Sequence, residues 1–217
     1  MLIDALRRRV ARQGAQPLLT YYDGRDGSRI ELSALTFANW VDKTANLIVD
    51  LGHEDGEPID IALAATHPAH WVTLAWVAAA WQRGCPVNPG ISGADLLVVG
   101  PGDRSQAAVT VACSLHPLGL GFPVAPEGAV DYREAMAQPD AHDLSPLGES
   151  TVWAGEPAPH TTPRDSRVLL LDPPAGWSTV AGSLVAPVLG SGSTVVAVGV
   201  TADRAAEIAA AERALLA

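Results

Sequence analysis

"PIDIALAATHPAHWVTLAWVAAAWQRGCPVNP", residues 58–89, is the stretch on which the fold turns. "PIDIALAAT" reads as a strand with an almost unbroken apolar run, the pattern of a sheet covered on both faces. "HPAHWVTLAWVAAAWQRG" reads as a helix, with Pro68 in its first turn and Gly84 at its end. "CPVNP" reads as a second, short strand. Strand, helix and strand in this order make a βαβ unit, with parallel strands and a right-handed crossover. The apolar run from Trp71 to Trp81 is too short to span a bilayer and reads as a buried core helix.

The flanking sequence repeats the theme. "PLLTYYDGRDGSRIEL", residues 17–32, reads as a β-hairpin around an Asp- and Gly-rich turn. In "SALTFANWVDKTANLIVDLG", residues 33–52, Phe37, Trp40, Val41, Leu47, Ile48 and Leu51 recur at helical spacing. Ser33 or Thr36 can cap that helix, and Gly52 can end it. "ADLLVVG", "AAVTVACSL", "SRVLLLD" and "STVVAVGV" read as strands. "AVDYREAMAQ", "GWSTVAGSLVAPVLG" and "TADRAAEIAAAERALL" read as helices, the last capped by Thr201. The predicted fold class is α/β, a mostly parallel sheet with flanking helices and an N-terminal hairpin. We expect a single domain over residues 1–217. Residues 1–113 form the first βα units, 114–165 a loop-rich excursion, and 166–217 a final βαβα unit.

Composition narrows the partners. The chain has 217 residues, 48% hydrophobic and 18% charged, with a formal charge of −10. No basic face is expected for nucleic acid or for an anionic membrane surface. The N-terminal arginines precede no apolar core, so no signal peptide is expected. Cys85 and Cys113 read as buried, reduced thiols, which points to the cytoplasm.

Catalytic motifs are sparse. With Lys43 as the single lysine, no G-x-x-x-x-G-K-[ST] loop occurs. Gly190 and Gly192 lie between a helix and a strand, the wrong order for a dinucleotide fingerprint, and read as a helix stop and tight turn. No G-x-S-x-G elbow is present. His67 and His70 stand one turn apart at the start of the predicted helix, without an acidic or thiol neighbour at ligand spacing, and read as surface histidines rather than a metal pair. "HEDGEPID" reads as a solvated acidic turn. Asp172 ends a predicted strand at the edge where α/β sheets bind ligands, although a turn-forming role fits it as well.

Taken together, residues 17–52, 58–89, 94–100 and 165–199 resemble the N-terminal part of the acyl-adenylate-forming (AMP-binding) synthetases and ligases. Residues 111–142 are closer to a small group of short actinobacterial proteins distantly similar to those enzymes. The resemblance places an ATP phosphate loop, rich in Ser, Thr and Gly and ending in lysine, between the strands here represented by "STVWAG" and "SRVLLLD". This chain has "EPAPHTTPRD" there, residues 156–165, without glycine or lysine. Backbone N–H groups and a cation neutralise a triphosphate in such a loop, and prolines remove donors. The family's adenine- and ribose-binding motifs and its catalytic lysine have no counterpart in these residues.

The resemblance therefore implies a catalytically inactive, truncated relative that works as a binding or regulatory module. No catalytic residue, metal or cofactor is expected. A small acyl or nucleotide-like ligand would sit near Thr66, His67, Asp172 and Trp177. A structural partner subunit, homo-oligomeric or bound to another protein, is the alternative, and an enzyme of different chemistry on acyl or CoA-like compounds is a third. "EPAPHTTPRD" is expected to be an exposed connector.

Overall fold

The computed structural model describes residues 1–124 and 126–217. In chain order the elements are α1 (Leu2–Gln13), β1 (Pro17–Asp23), β2 (Ser28–Ser33), α2 (Ala34–Asp50), β3 (Ile59–Ile61), α3 (Leu63–Thr66), α4 (Trp71–Gln82), β4 (Val87–Asn88), β5 (Leu96–Val99) and β6 (Val109–Ala112). β7 (Val130–Asp131) runs into a 3₁₀ turn, Tyr132–Ala137. Then come β8 (Val152–Trp153), β9 (Glu156–Pro157), β10 (Arg167–Leu171), and a helix built from α5 (Trp177–Val180), a π turn (Ala181–Val185) and α6 (Ala186–Leu189). β11 (Ser193–Val198), α7 (Ala202–Glu212) and β12 (Leu215–Leu216) follow. Where one sheet was expected there are two, both mostly parallel. The contacts divide the chain into two compact units.

The first unit holds residues 1–38, 68–74 and 159–217. Its five-stranded sheet has the order β12-β10-β11-β1-β2, with only β2 antiparallel. β11 is buried almost throughout, as a strand covered on both faces must be. Alternation explains how: Val195 and Ala197 pack with Ala205, Ile208 and Ala209 of α7, whereas the Thr194 hydroxyl reaches Gly182 on the opposite helix. α1 was not anticipated as a helix. It buries Leu2, Ile3, Ala5, Leu6 and Arg9, one stripe at helical spacing.

The second unit holds residues 39–67 and 75–158, with sheet order β7-β6-β5-β3-β4-β8-β9 and only β9 antiparallel. Strands β3, β5 and β6 are fully or nearly buried. The expected strand over residues 58–66 stops at Ile61. Ala62 still donates to Val98 O, and then Leu63, Ala64 and Ala65, good helix formers, close a turn. α4 is buried at all twelve positions, which explains why it shows no polar stripe. It starts at Trp71, later than Pro68. The His70 ring caps it, Nδ1 accepting from Val72 N–H at 3.2 Å. His70 is 5% exposed and meets the edge of Tyr21 at a 4.8 Å centroid distance, so it is a core residue and no surface histidine.

Two further expectations need correction. Asp60, read with a solvated acidic stretch, is 1% exposed. The predicted helix over 176–190 is interrupted by the π turn, and Pro187 supplies the reason. The π register pairs Ala186 N–H with Ala181 O, which would match Gly182 O to the nitrogen of Pro187, and that nitrogen carries no hydrogen. Gly182 O is instead met by Thr194 Oγ1 at 3.1 Å and Arg164 Nη1 at 2.9 Å. Among the described residues no helix is long and apolar enough to cross a membrane.

Candidate functional site

The second unit carries a cavity of about 520 Å³ beside the end of β5. Val99 at the end of β5, Gly100 just after it, and Thr110 and Ala112 from β6 form its base; Val99 pairs with Ala112, and Thr110 two residues earlier shares that sheet face because strand side chains alternate. The loop before β7 covers it with Phe122, Pro126, Glu127 and Ala129. Asp131, buried at the end of β7, fixes that loop. One carboxylate oxygen accepts from Phe122 N–H at 2.9 Å and the other from Arg133 N–H at 3.0 Å. Asp103, Arg104 and Gln106 supply a polar rim. An aromatic ring, an apolar floor and a few charged groups are what a small organic ligand needs. The hydroxyl in the lining, Thr110 Oγ1, accepts from Ala107 N–H at 3.0 Å.

Thr66 and His67 stand beside this cavity. His67 Nδ1 is 3.0 Å from Thr66 Oγ1, and a Cβ on Gly100 would lie 3.7 Å from the same ring nitrogen. Thr66 ends the helical turn that replaces the end of the predicted strand, and His67 is its C-cap. Asp172 and Trp177 belong to the first unit. Asp172 has left-handed backbone, φ 41°, and its carboxylate accepts from Gly199 N–H at 2.7 Å, tying the ends of β10 and β11 together. Trp177 opens α5 after Gly176. The four residues named from sequence thus divide between the two units. Phe122, Arg104, Gln106 and Glu127 were missed: they fall in two loops without periodicity, one between β5 and β6 and one before β7, which meet only in the folded chain.

The joining stretch is more structured than a plain connector. Ala154 (φ 52°) and Gly155 (φ 82°) form a two-residue turn between β8 and β9. His160 is exposed. Arg164 turns inward. Besides Gly182 O it reaches Ser193 O at 3.2 Å and Thr194 Oγ1 at 2.5 Å. Its main chain donates to Ala186 O and accepts from Gly192 N–H. Gly190 and Gly192 owe their identity to this approach: a Cβ on either would stand 2.3–2.5 Å from Arg164 O. Burial lowers the Arg164 pKa from its ordinary value.

Both cysteines are free and buried. Burial pushes the Cys85 thiol up to about 11 and the Cys113 thiol higher still, so neither is a ready nucleophile. Among the described residues no cluster of His, Cys, Asp or Glu could hold a metal ion.

This architecture is shared with known enzymes. An acyl-CoA synthetase from Brucella canis superposes with a TM-score of 0.73 at 17% identity, over 99% of this chain and 46% of that one. The N-terminal domain of FACL13 from Mycobacterium tuberculosis gives 0.68 at 10% identity, over 98% of this chain and 61% of that one. The fold is that of the N-terminal part of acyl-CoA synthetases. In sequence, a TIGR03089 family protein of Mycobacterium tuberculosis (strain ATCC 25618 / H37Rv) is 37% identical over 131 residues, 55% of this chain and 52% of that protein. The chain spans about half the length of the relatives it matches. No family model matches.

Proposed function

We propose that this chain is a binding or regulatory module on the acyl-CoA synthetase N-terminal fold, and that it does not adenylate. One observation carries the reading. Where the resemblance calls for a phosphate loop, residues 154–166 make a tight hairpin turn and a proline-rich run, and the one cation that turns inward, Arg164, is occupied by main-chain carbonyls and the Thr194 hydroxyl of its own unit. Pro157, Pro159 and Pro163 remove three backbone N–H donors from the run over residues 156–165, which contains neither glycine nor lysine.

The ligand is a small acyl or nucleotide-like molecule held in the 520 Å³ cavity, with Phe122 against its apolar part and Arg104 or Gln106 at its polar end. Buried, reduced thiols suit a cytoplasmic setting. Acyl-dependent exchange of pyrophosphate into ATP measures adenylation directly. The expected rate is background with fatty and aryl acids alike; turnover above background ends the reading. A thermal-shift panel of ATP, AMP, CoA and acyl-CoAs then looks for the ligand, and Phe122→Ala should abolish whatever shift is seen.

A second reading, a partner-binding subunit, is favoured by the sheet edge of the first unit, where Leu171, Leu215 and Leu216 are 38%, 63% and 58% exposed. Light scattering separates the two: a strictly monomeric species removes self-association.

A further inference from the structure

We infer that a groove between α1 and the turn after α6 binds a small tetrahedral oxyanion of the phosphate class through Arg8, Arg9 and Arg12. The groove encloses about 280 Å³, with Leu189, Gly190 and Ser191 on its other wall. That is smaller than a typical pocket for a drug-sized ligand and ample for a phosphate or a short phosphoester.

Two independent features converge here. Arg8 and Arg12 lie one helical turn apart on α1, both exposed. Among the described residues neither has a carboxylate within ion-pair distance, although the chain carries a net charge of −10. Between them stands Arg9, 5% exposed and likewise without a carboxylate. Its guanidinium donates to Pro187 O at 2.7 Å and, at 3.4 Å, to Gly190 O and Pro17 O, and its Nε has no partner. A buried cation without a counter-ion costs several kcal/mol, and an anion in the groove offsets that cost.

The charge balance allows it. Three guanidiniums face the groove. Against them stand Asp165, which accepts from Ser191 N–H and Oγ, and the C-terminal end of the helix closing at Leu189, worth roughly half a negative charge. The remainder is about +1.5. Forked guanidinium donors match the oxygens of a tetrahedral anion better than ammonium groups would.

The test is a melting-temperature titration of the full chain with inorganic phosphate, pyrophosphate and glycerol phosphate, against chloride at matched ionic strength. Phosphate at about ten times its Kd should raise Tm saturably by about 3–6 °C. The Arg8→Ser/Arg12→Ser double variant, altered only at exposed positions, should fold and lose the rise. An Arg204→Ser variant, at an exposed position outside the groove and the cavity, should keep it. A larger rise with glycerol phosphate than with phosphate marks an esterified ligand, and the reverse a free anion. An equal rise with chloride, no saturable rise, or an unchanged rise in the double variant overturns the assignment.

Discussion

Asp60 is the residue on which the second unit's loop geometry depends. It is buried within a parallel sheet and among the described residues has no cationic partner; its carboxylate instead accepts from Ser92 N–H (2.6 Å), Gly93 N–H (2.9 Å), Ala94 N–H (3.1 Å), the Ser92 hydroxyl and Asn88 Nδ2. Five donors converging on one carboxylate fold the chain between β4 and β5. Burial by itself raises the Asp60 pKa, but the hydrogen bonds from Ser92, Asn88 and Ala94 outweigh it, and the value falls below the ordinary 3.8. A depressed carboxylate stabilises the fold above its unfolded pKa, and the contribution disappears as pH falls through the folded value. Asp60 therefore supports the protein at neutral pH and stops doing so only below about pH 3.8. Asp60→Ala removes the acceptor that five partly buried donors share and should cost about 2 kcal/mol, read as a lower urea midpoint at pH 7. Asp60→Asn, which keeps an acceptor oxygen, should cost less and should flatten the acid limb of the stability profile.

At the scale of elements, glycines, a proline and one arginine form a single device. Pro187 leaves Gly182 O unpaired, Arg164 and Thr194 satisfy it, and the close passage of residue 164 requires Gly190 and Gly192. Gly190→Ala must push the main chain aside, whereas Gly27→Ala meets nothing within 4 Å and costs only its left-handed backbone, φ 72°. The first should lose about 2 kcal/mol or more and the second about 1 kcal/mol; equal losses in calorimetric Tm would contradict the packing explanation. Much of this level was legible in advance. The hairpin, α2, the buried α4 and the strands β5, β6, β10 and β11 follow from periodicity and turn chemistry. The end of β3 at Ile61 and the π turn did not, because both depend on which partner a main-chain group finds across the fold. Thr66 and His67, named for their place near a strand end, lie beside the candidate cavity and not in its lining. Phe122 and Arg104 belong to loops whose sequence carries no spacing to read.

For the whole molecule, charge is the dominant collective property. With 24 acidic and 14 basic side chains the net charge vanishes near pH 4.9, where self-repulsion is lost. Solubility followed by light scattering should pass through a minimum close to that pH, within the window in which Asp60 is still ionised and the fold intact. Precipitation there that reverses on raising the pH is the expected outcome; irreversible loss would point to unfolding instead.

By itself the sequence determined the α/β class, most of the order of strands and helices, and the buried thiols. These are properties of composition and local periodicity, which each segment carries alone. Only the tertiary structure decided that there are two sheets, that His70 and Asp60 are buried, that Arg164 is an anchor, and that Phe122 closes a cavity over β5 and β6. Each of these depends on which polar group satisfies which, between residues far apart in the chain, and a one-dimensional pattern does not record that pairing.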